Sequence, residues 1–83
     1  MPRFFFHIFD HVEILDDEGM ELPDAEAARS AALAGARAMI CDQVKEGRLC
    51  LNHRIEVEDE AGATVLSIAF AEAVTDRPTG EAD

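Results

Sequence analysis

The sequence has no tryptophan or tyrosine, only two cysteines and few basic residues. Two cysteines are too few for a disulfide scaffold, and the Cys41–Cys50 spacing matches no zinc signature. The five glycines are isolated, which excludes a glycine-rich phosphate loop. We therefore predict two reduced structural thiols and no zinc or nucleotide site.

The shortage of cations restricts the class of partner. Lys and Arg number 7 against 18 Asp and Glu, for a net charge of −11. Nucleic-acid binding requires clustered cations, and anionic membranes repel an acidic surface. No apolar run approaches the length of a transmembrane helix, and the N-terminus has no signal-peptide pattern. We expect no nucleic-acid partner, no membrane partner and a cytoplasmic location.

The chain begins with a short aromatic stretch that favours a β-strand over Arg3–Asp10. Side chains alternate across a strand, so this stretch has two faces. One face is uniformly apolar, and an imidazole interrupts the other. The two rows are Phe4, Phe6, Ile8 and Phe5, His7, Phe9. A weaker second strand is predicted over Val12–Leu15, followed by an acidic loop.

A long helix is the clearest element of the sequence. Asp24 is a good N-cap residue, and Gly47 is a good residue to follow the last turn. Apolar residues recur between them at helical spacing and predict the buried face. That face comprises Ala25, Ala28, Ala32, Leu33, Ala36, Met39, Ile40 and Val44.

The C-terminal half predicts a β-hairpin. Ile55 and Val57 point to one side of its first strand, "EDEAGA" forms the turn, and Thr64–Phe70 returns. The predicted fold class is α+β, a two-layer ββαββ domain. It has an antiparallel sheet of three to four strands with one long helix packed on one face. We predict a single domain over residues 1–74 and a flexible acidic tail over residues 75–83.

No set of residues predicts catalysis. His7 and His11 lie four apart, which on a strand separates them by roughly 13 Å. His53 is distant in sequence, and the acidic loop lacks the alternating spacing of a calcium site. We therefore predict no catalytic residue, no metal and no cofactor, and expect a non-enzymatic protein.

The aromatic strand instead predicts a contact surface. If the helix covers Phe4, Phe6 and Ile8, then Phe5 and Phe9 lie with His7 on the uncovered side. Covering both phenylalanines would contribute about 3–6 kcal/mol. We predict that Phe5, His7 and Phe9 mediate a homodimer or bind another protein. Two alternatives remain: loops of the chain cover these residues, or His7 and His53 form a ligand or metal site, with or without enzymatic activity.

Three stretches carry a family resemblance: "MPRFFFHIFD", "DDEGMELPDAEAARSAAL" and "RIEVEDEAGATVLSIAF". They resemble a family of short bacterial proteins classed only as a domain of unknown function. The likeness covers Met1–Val74. It implies a small stand-alone cytoplasmic protein, and it implies no activity, substrate or site.

Overall fold

The computed structural model describes residues 1–10 and 13–74. Its strands are β1 (Arg3–Phe9), β2 (Glu13–Ile14), β3 (Met20–Glu21), β4 (Arg54–Glu58) and β5 (Thr64–Ala69). Helix α1 (Ala25–Lys45) lies between β3 and β4, and a 3₁₀ helix (Phe70–Ala73) follows β5. His11, Val12 and the predicted tail over residues 75–83 lie outside the described residues.

The strands form one antiparallel sheet in the order β2-β1-β4-β5, and β3 also pairs with β1. β2 lies opposite Ile8 and Phe9, whereas β3 lies opposite Arg3 and Phe4. β2 and β3 therefore form an interrupted strand along one edge of β1, and β4 pairs with the other edge. The predicted α+β class with one long helix is confirmed. The predicted number of strands, three to four, is too low, because the edge strand is interrupted and counts as two.

The two ends of α1 follow from its capping residues. At the first turn, the Asp24 carboxylate accepts a hydrogen bond from the Ala27 N–H at 2.8 Å. At the last turn, Gly47 adopts a positive φ of 84°. The chain then turns back, so that the Arg48 N–H donates to the Gln43 carbonyl at 3.0 Å. Both predicted caps are confirmed.

The core lies between α1 and one face of the sheet. The helix contributes small side chains, so its axis approaches the strands closely, and Phe70 of the 3₁₀ helix is fully buried beside it. The buried hydrophobic residues are Phe4, Ala28, Ala32, Ala36, Ile40, Ile55, Val57, Ile68, Phe70 and Ala73.

Two residues of the predicted helix face are exposed. Ala25 is exposed, and Val44 is 59% exposed. Gln43 is buried in the last turn instead, since its side-chain oxygen accepts the Cys50 N–H at 2.9 Å. Apolar periodicity does not predict that Gln43 is buried, because its burial depends on the hydrogen bond from the Cys50 backbone, in the segment after the helix.

The outer edge of β5 is blunted at both ends. At its start the β4–β5 register shifts between Val57 and Glu58. At its end the Ala69 N–H donates to the Glu72 carboxylate at 2.9 Å. Irregular pairing and capped donors both limit addition of another strand.

The strand β5 ends at Ala69, one residue before the predicted end of the return strand, since Phe70 begins the 3₁₀ helix.

No helix within residues 1–10 and 13–74 has both the length and the apolarity that crossing a bilayer requires.

Candidate functional site

The sheet face turned away from α1, here called the open face, carries the three residues singled out by the sequence. Phe5, His7 and Phe9 lie in one row of β1. Opposite them on β4 lie Glu58, Glu56 and Arg54 respectively. The open face is therefore an aromatic row beside a charged row.

His7 is buried, with 8% of its surface exposed, and both of its ring nitrogens have protein partners. Nδ1 accepts a hydrogen bond from the Asp16 N–H at 3.0 Å. Because Nδ1 acts as an acceptor, the proton of the neutral ring lies on Nε2. Nε2 then donates to the Glu58 carboxylate at 3.1 Å. His7 thus connects β1 to β4 and to the loop between β2 and β3.

The side chain of Asp16 also holds the loop between β2 and β3 against β1. Its Oδ2 accepts the Phe6 N–H at 3.1 Å, and its Oδ1 accepts the Glu18 and Gly19 N–H groups, each at 3.1 Å. Phe6 lies between the positions of β1 that pair with β3 and with β2. The carboxylate therefore replaces the missing strand partner at the break in the edge.

The electrostatics of Asp16 follow from these contacts. Burial by itself would raise the pKa of its carboxyl group. The three backbone N–H bonds and the nearby His7 outweigh burial and lower the pKa below its ordinary value. The ionised carboxylate is thus the form that the folded loop stabilises.

The two phenylalanines of the open face are partly covered by the chain itself. A Cβ on Gly19 would lie 2.9 Å from a Phe5 ring carbon, so the glycine packs directly on this ring. The Arg54 guanidinium lies 4.5 Å from the centre of the Phe9 ring, and Arg54 also donates to Glu56 at 2.7 Å. The aromatic row is therefore half-buried rather than bare.

His53 lies on the opposite face of the sheet from His7. Its ring packs edge-on against Phe70, with centroids 5.5 Å apart, and it is 6% exposed. The structure therefore does not bring the two histidines into one site. Within residues 1–10 and 13–74, no three His, Cys, Asp or Glu side chains are placed to hold a metal ion. Cys41 and Cys50 are free thiols.

A second surface lies on the helix side, between α1 and the broken edge. It is an apolar groove of about 220 Å³, here called the edge groove. Ile14 lies opposite Ile8 at its margin. Ile14 and Met20 are each 48% exposed. The groove is lined by Phe6, Ile8, Met20, Ala31, Ala32, Gly35, Met39 and Ile55.

Sequence reasoning missed the edge groove, although a signal for it exists. Ala31, Gly35 and Met39 are spaced four residues apart, so they form one stripe of α1. The stripe is small at two of its three positions, and nothing lies within 4 Å of a Cβ placed on Gly35. A helix with this stripe leaves space above Phe6 and Ile8.

The chain resembles one known family over most of its length. The profile of DUF6894, described as a domain of unknown function, matches residues 3–71, which is most of the 83-residue chain. The chain belongs to this family. Searches of curated proteins and of solved structures gave no match. Membership of DUF6894 names no activity.

Proposed function

We propose that this chain is a non-enzymatic protein-interaction module, and that the edge groove binds an apolar, basic segment of a partner protein. The observation that carries the proposal is the exposed apolar surface on the helix side of the broken edge. Ile14 and Met20 are half-exposed beside Phe6 and Ile8, which are only partly buried. Contiguous apolar surface of this kind is typical of interaction sites.

The charge around the edge groove indicates the chemistry of the partner. The segment that carries β2 and β3 borders the groove and exposes four carboxylates, on Glu13, Asp17, Glu18 and Glu21. Two of them, Glu13 and Glu21, lie opposite Phe9 and Arg3 and therefore project from the open face, where Glu21 pairs with Arg3 at 3.6 Å. The chain as a whole carries a net charge of −11. A segment with apolar residues on one side and Lys or Arg around them complements this arrangement. An amphipathic basic helix satisfies both requirements.

A second copy of the chain is a less suitable occupant. Two copies would bring the same carboxylates together, and like charges at an interface oppose association. Pairing through β5 is also limited, since that edge is blunted at both ends. The homodimer expected from the sequence therefore stays a prediction with less support than a basic partner.

The open face remains a second predicted contact surface. Phe5, His7 and Phe9 lie together there, but contacts from Gly19, Asp16 and Arg54 already cover much of them. A ligand or metal site shared by His7 and His53 has no geometric support, because their side chains lie on opposite sheet faces. The edge groove is accordingly the surface on which the proposal rests, with Ile14 and Met20 each 48% exposed.

Two synthetic peptides test the proposal. Each contains only leucine and lysine and has about 18 residues, long enough to form a helix. One places leucine at amphipathic helical spacing, and the other has the same composition in scrambled order. Binding to ¹⁵N-labelled protein is followed by NMR at low ionic strength. We expect the amphipathic peptide to shift the amide resonances of Phe6, Ile8, Met20 and Met39.

A groove-filling variant provides the matched comparison. Gly35→Leu places a large side chain in the groove, whereas Ala34→Leu changes the neighbouring exposed helix position. We expect Gly35→Leu to weaken binding of the amphipathic peptide about tenfold or more, as loss of one buried apolar contact implies. Ala34→Leu should leave affinity within about twofold. Equal binding of both peptides would mean that charge alone attracts the peptide. Equal affinity of both variants would mean that the peptide does not occupy the groove. Either result would overturn the proposal.

A further inference from the structure

The hydrogen bond between His7 and Asp16 makes the loop beside the edge groove sensitive to protonation. His7 Nδ1 accepts the Asp16 N–H, and this bond exists only while Nδ1 carries no proton. Imidazole is the side chain whose charge changes between about pH 5 and 8. A proton on Nδ1 would place two donors against each other at the start of the loop.

We propose that His7 is a pH-sensitive latch: protonation of its Nδ1 breaks the bond from the Asp16 N–H, loosens the loop at Asp16–Gly19 and thereby alters the edge groove. The bonds from Phe6 N–H to Asp16 and from Arg3 to the Glu18 carbonyl still tie the loop to β1. This inference rests on the proposed function of the groove. The mechanical connection is short, since Gly19 is followed directly by Met20 of β3, which lines the groove.

Charged groups face the His7 ring from β4 and from the loop. Glu58 accepts from Nε2. Glu56 lies directly opposite His7 on β4 and is held by Arg54. The Asp16 carboxylate also lies near the ring. A protonated ring therefore keeps its carboxylate neighbours, and the bond from the Asp16 N–H is the contact that it loses.

The same geometry makes the coupling reciprocal. A ligand that binds the groove only while the loop is closed must also disfavour protonation of His7. The protonation midpoint of His7 should consequently fall when the groove is occupied. The imidazole of His53, on the other face of the sheet, should not respond in the same way.

Long-range ¹H–¹⁵N NMR of the histidine rings tests the latch in the free protein, without any peptide. At high pH we expect His7 as the Nε2–H tautomer. As pH falls, the Asp16 amide should lose hydrogen-exchange protection, and the Gly19 and Met20 amides should shift with the same midpoint as the His7 ring. His53, on the other face of the sheet, serves as the internal control in the same spectra.

A non-titrating variant separates the latch from general acid effects. His7→Asn retains an acceptor near the position of Nδ1, so the pH response of the Gly19 and Met20 amides should disappear. An unchanged response in this variant would overturn the latch. If the variant does not fold, the wild-type spectra still decide, because an Nδ1–H tautomer at high pH or loop amides that ignore the His7 titration would also overturn it.

The amphipathic peptide then distinguishes failure of the latch from failure of the proposed function. Binding at high pH with an unchanged His7 midpoint would remove the latch and keep the groove. Coupled loop titration without peptide binding at high pH would keep the latch as a conformational switch and remove the groove proposal. A lower His7 midpoint with peptide bound supports both.

Discussion

Replacement of Asp16 by alanine removes the side chain that holds the loop between β2 and β3 against β1. The carboxylate accepts backbone N–H groups from Phe6, Glu18 and Gly19. The bonds from Phe6 and Gly19 are partly buried, whereas the one from Glu18 is exposed. Alanine supplies no acceptor to any of them.

The expected cost follows from these three donors. Water can replace the carboxylate at the exposed Glu18 N–H, so that bond contributes little. The other two N–H groups lose their acceptor where water has limited access, at about 1–2 kcal/mol each. We therefore expect Asp16→Ala to lower the free energy of unfolding by about 2–4 kcal/mol. A domain of this length has a stability of roughly 4–12 kcal/mol, so the loss is a large share.

Urea unfolding followed by circular dichroism measures this difference, since the chain has no tryptophan or tyrosine for fluorescence. Asp17→Ala is the matched control, because Asp17 is an exposed neighbour in the same loop. Its effect should stay within about 0.5 kcal/mol. Equal stabilities of the Asp16→Ala and Asp17→Ala variants would refute the reasoning.

The pH dependence gives the same prediction a second check. The pKa of Asp16 is lowered in the folded state, so the stabilisation is fully present above the ordinary value of 3.8. It is lost as pH falls through the lowered folded-state pKa. The difference between wild type and Asp16→Ala should therefore shrink below about pH 4.

Two further substitutions test the packing of the loop and of the helix. Gly19→Ala should destabilise the protein by about 1–3 kcal/mol more than Gly62→Ala. Both glycines have a positive φ, but only at Gly19 would an added Cβ meet atoms of β1, at 2.8 to 3.0 Å. Equal midpoints in urea would contradict this close approach. Ala36→Leu should cost about 1–3 kcal/mol, because Ala36 is fully buried against the sheet, whereas Ala34→Leu at an exposed position should be nearly neutral. Thermal unfolding of the two variants at equal concentration provides the measurement. A Tm for Ala36→Leu at or above the Tm of Ala34→Leu would argue against tight packing of the helix on the sheet.

Much of the secondary structure was predictable from short-range patterns. Asp24 and Gly47 bound the helix because capping depends on residues within one turn of its ends. The alternation of Phe4, Phe5 and Phe6 assigned the faces of β1 for the same local reason. β3 was not predicted, because Met20–Glu21 is too short to show a period and is a strand only through its pairing with Arg3 and Phe4.

The candidate site was predictable only in part. Alternation placed His7 beside Phe5 and Phe9, yet it gave no indication of Asp16, which is nine residues away and approaches His7 across the break in the edge. The Gly19 contact with Phe5 depends equally on how this loop folds back. The edge groove arises from the distance between α1 and β1, which no single segment specifies.

The amino-acid sequence alone determined the charge, the helix with its two caps, the alternating strand and the hairpin, because each depends on neighbours along the chain. Only the tertiary structure decided the broken edge strand, the two partners of His7, its separation from His53 and the uncovered groove. Those features depend on contacts between residues distant in sequence, where the position of one backbone segment determines which polar and apolar groups of another remain available.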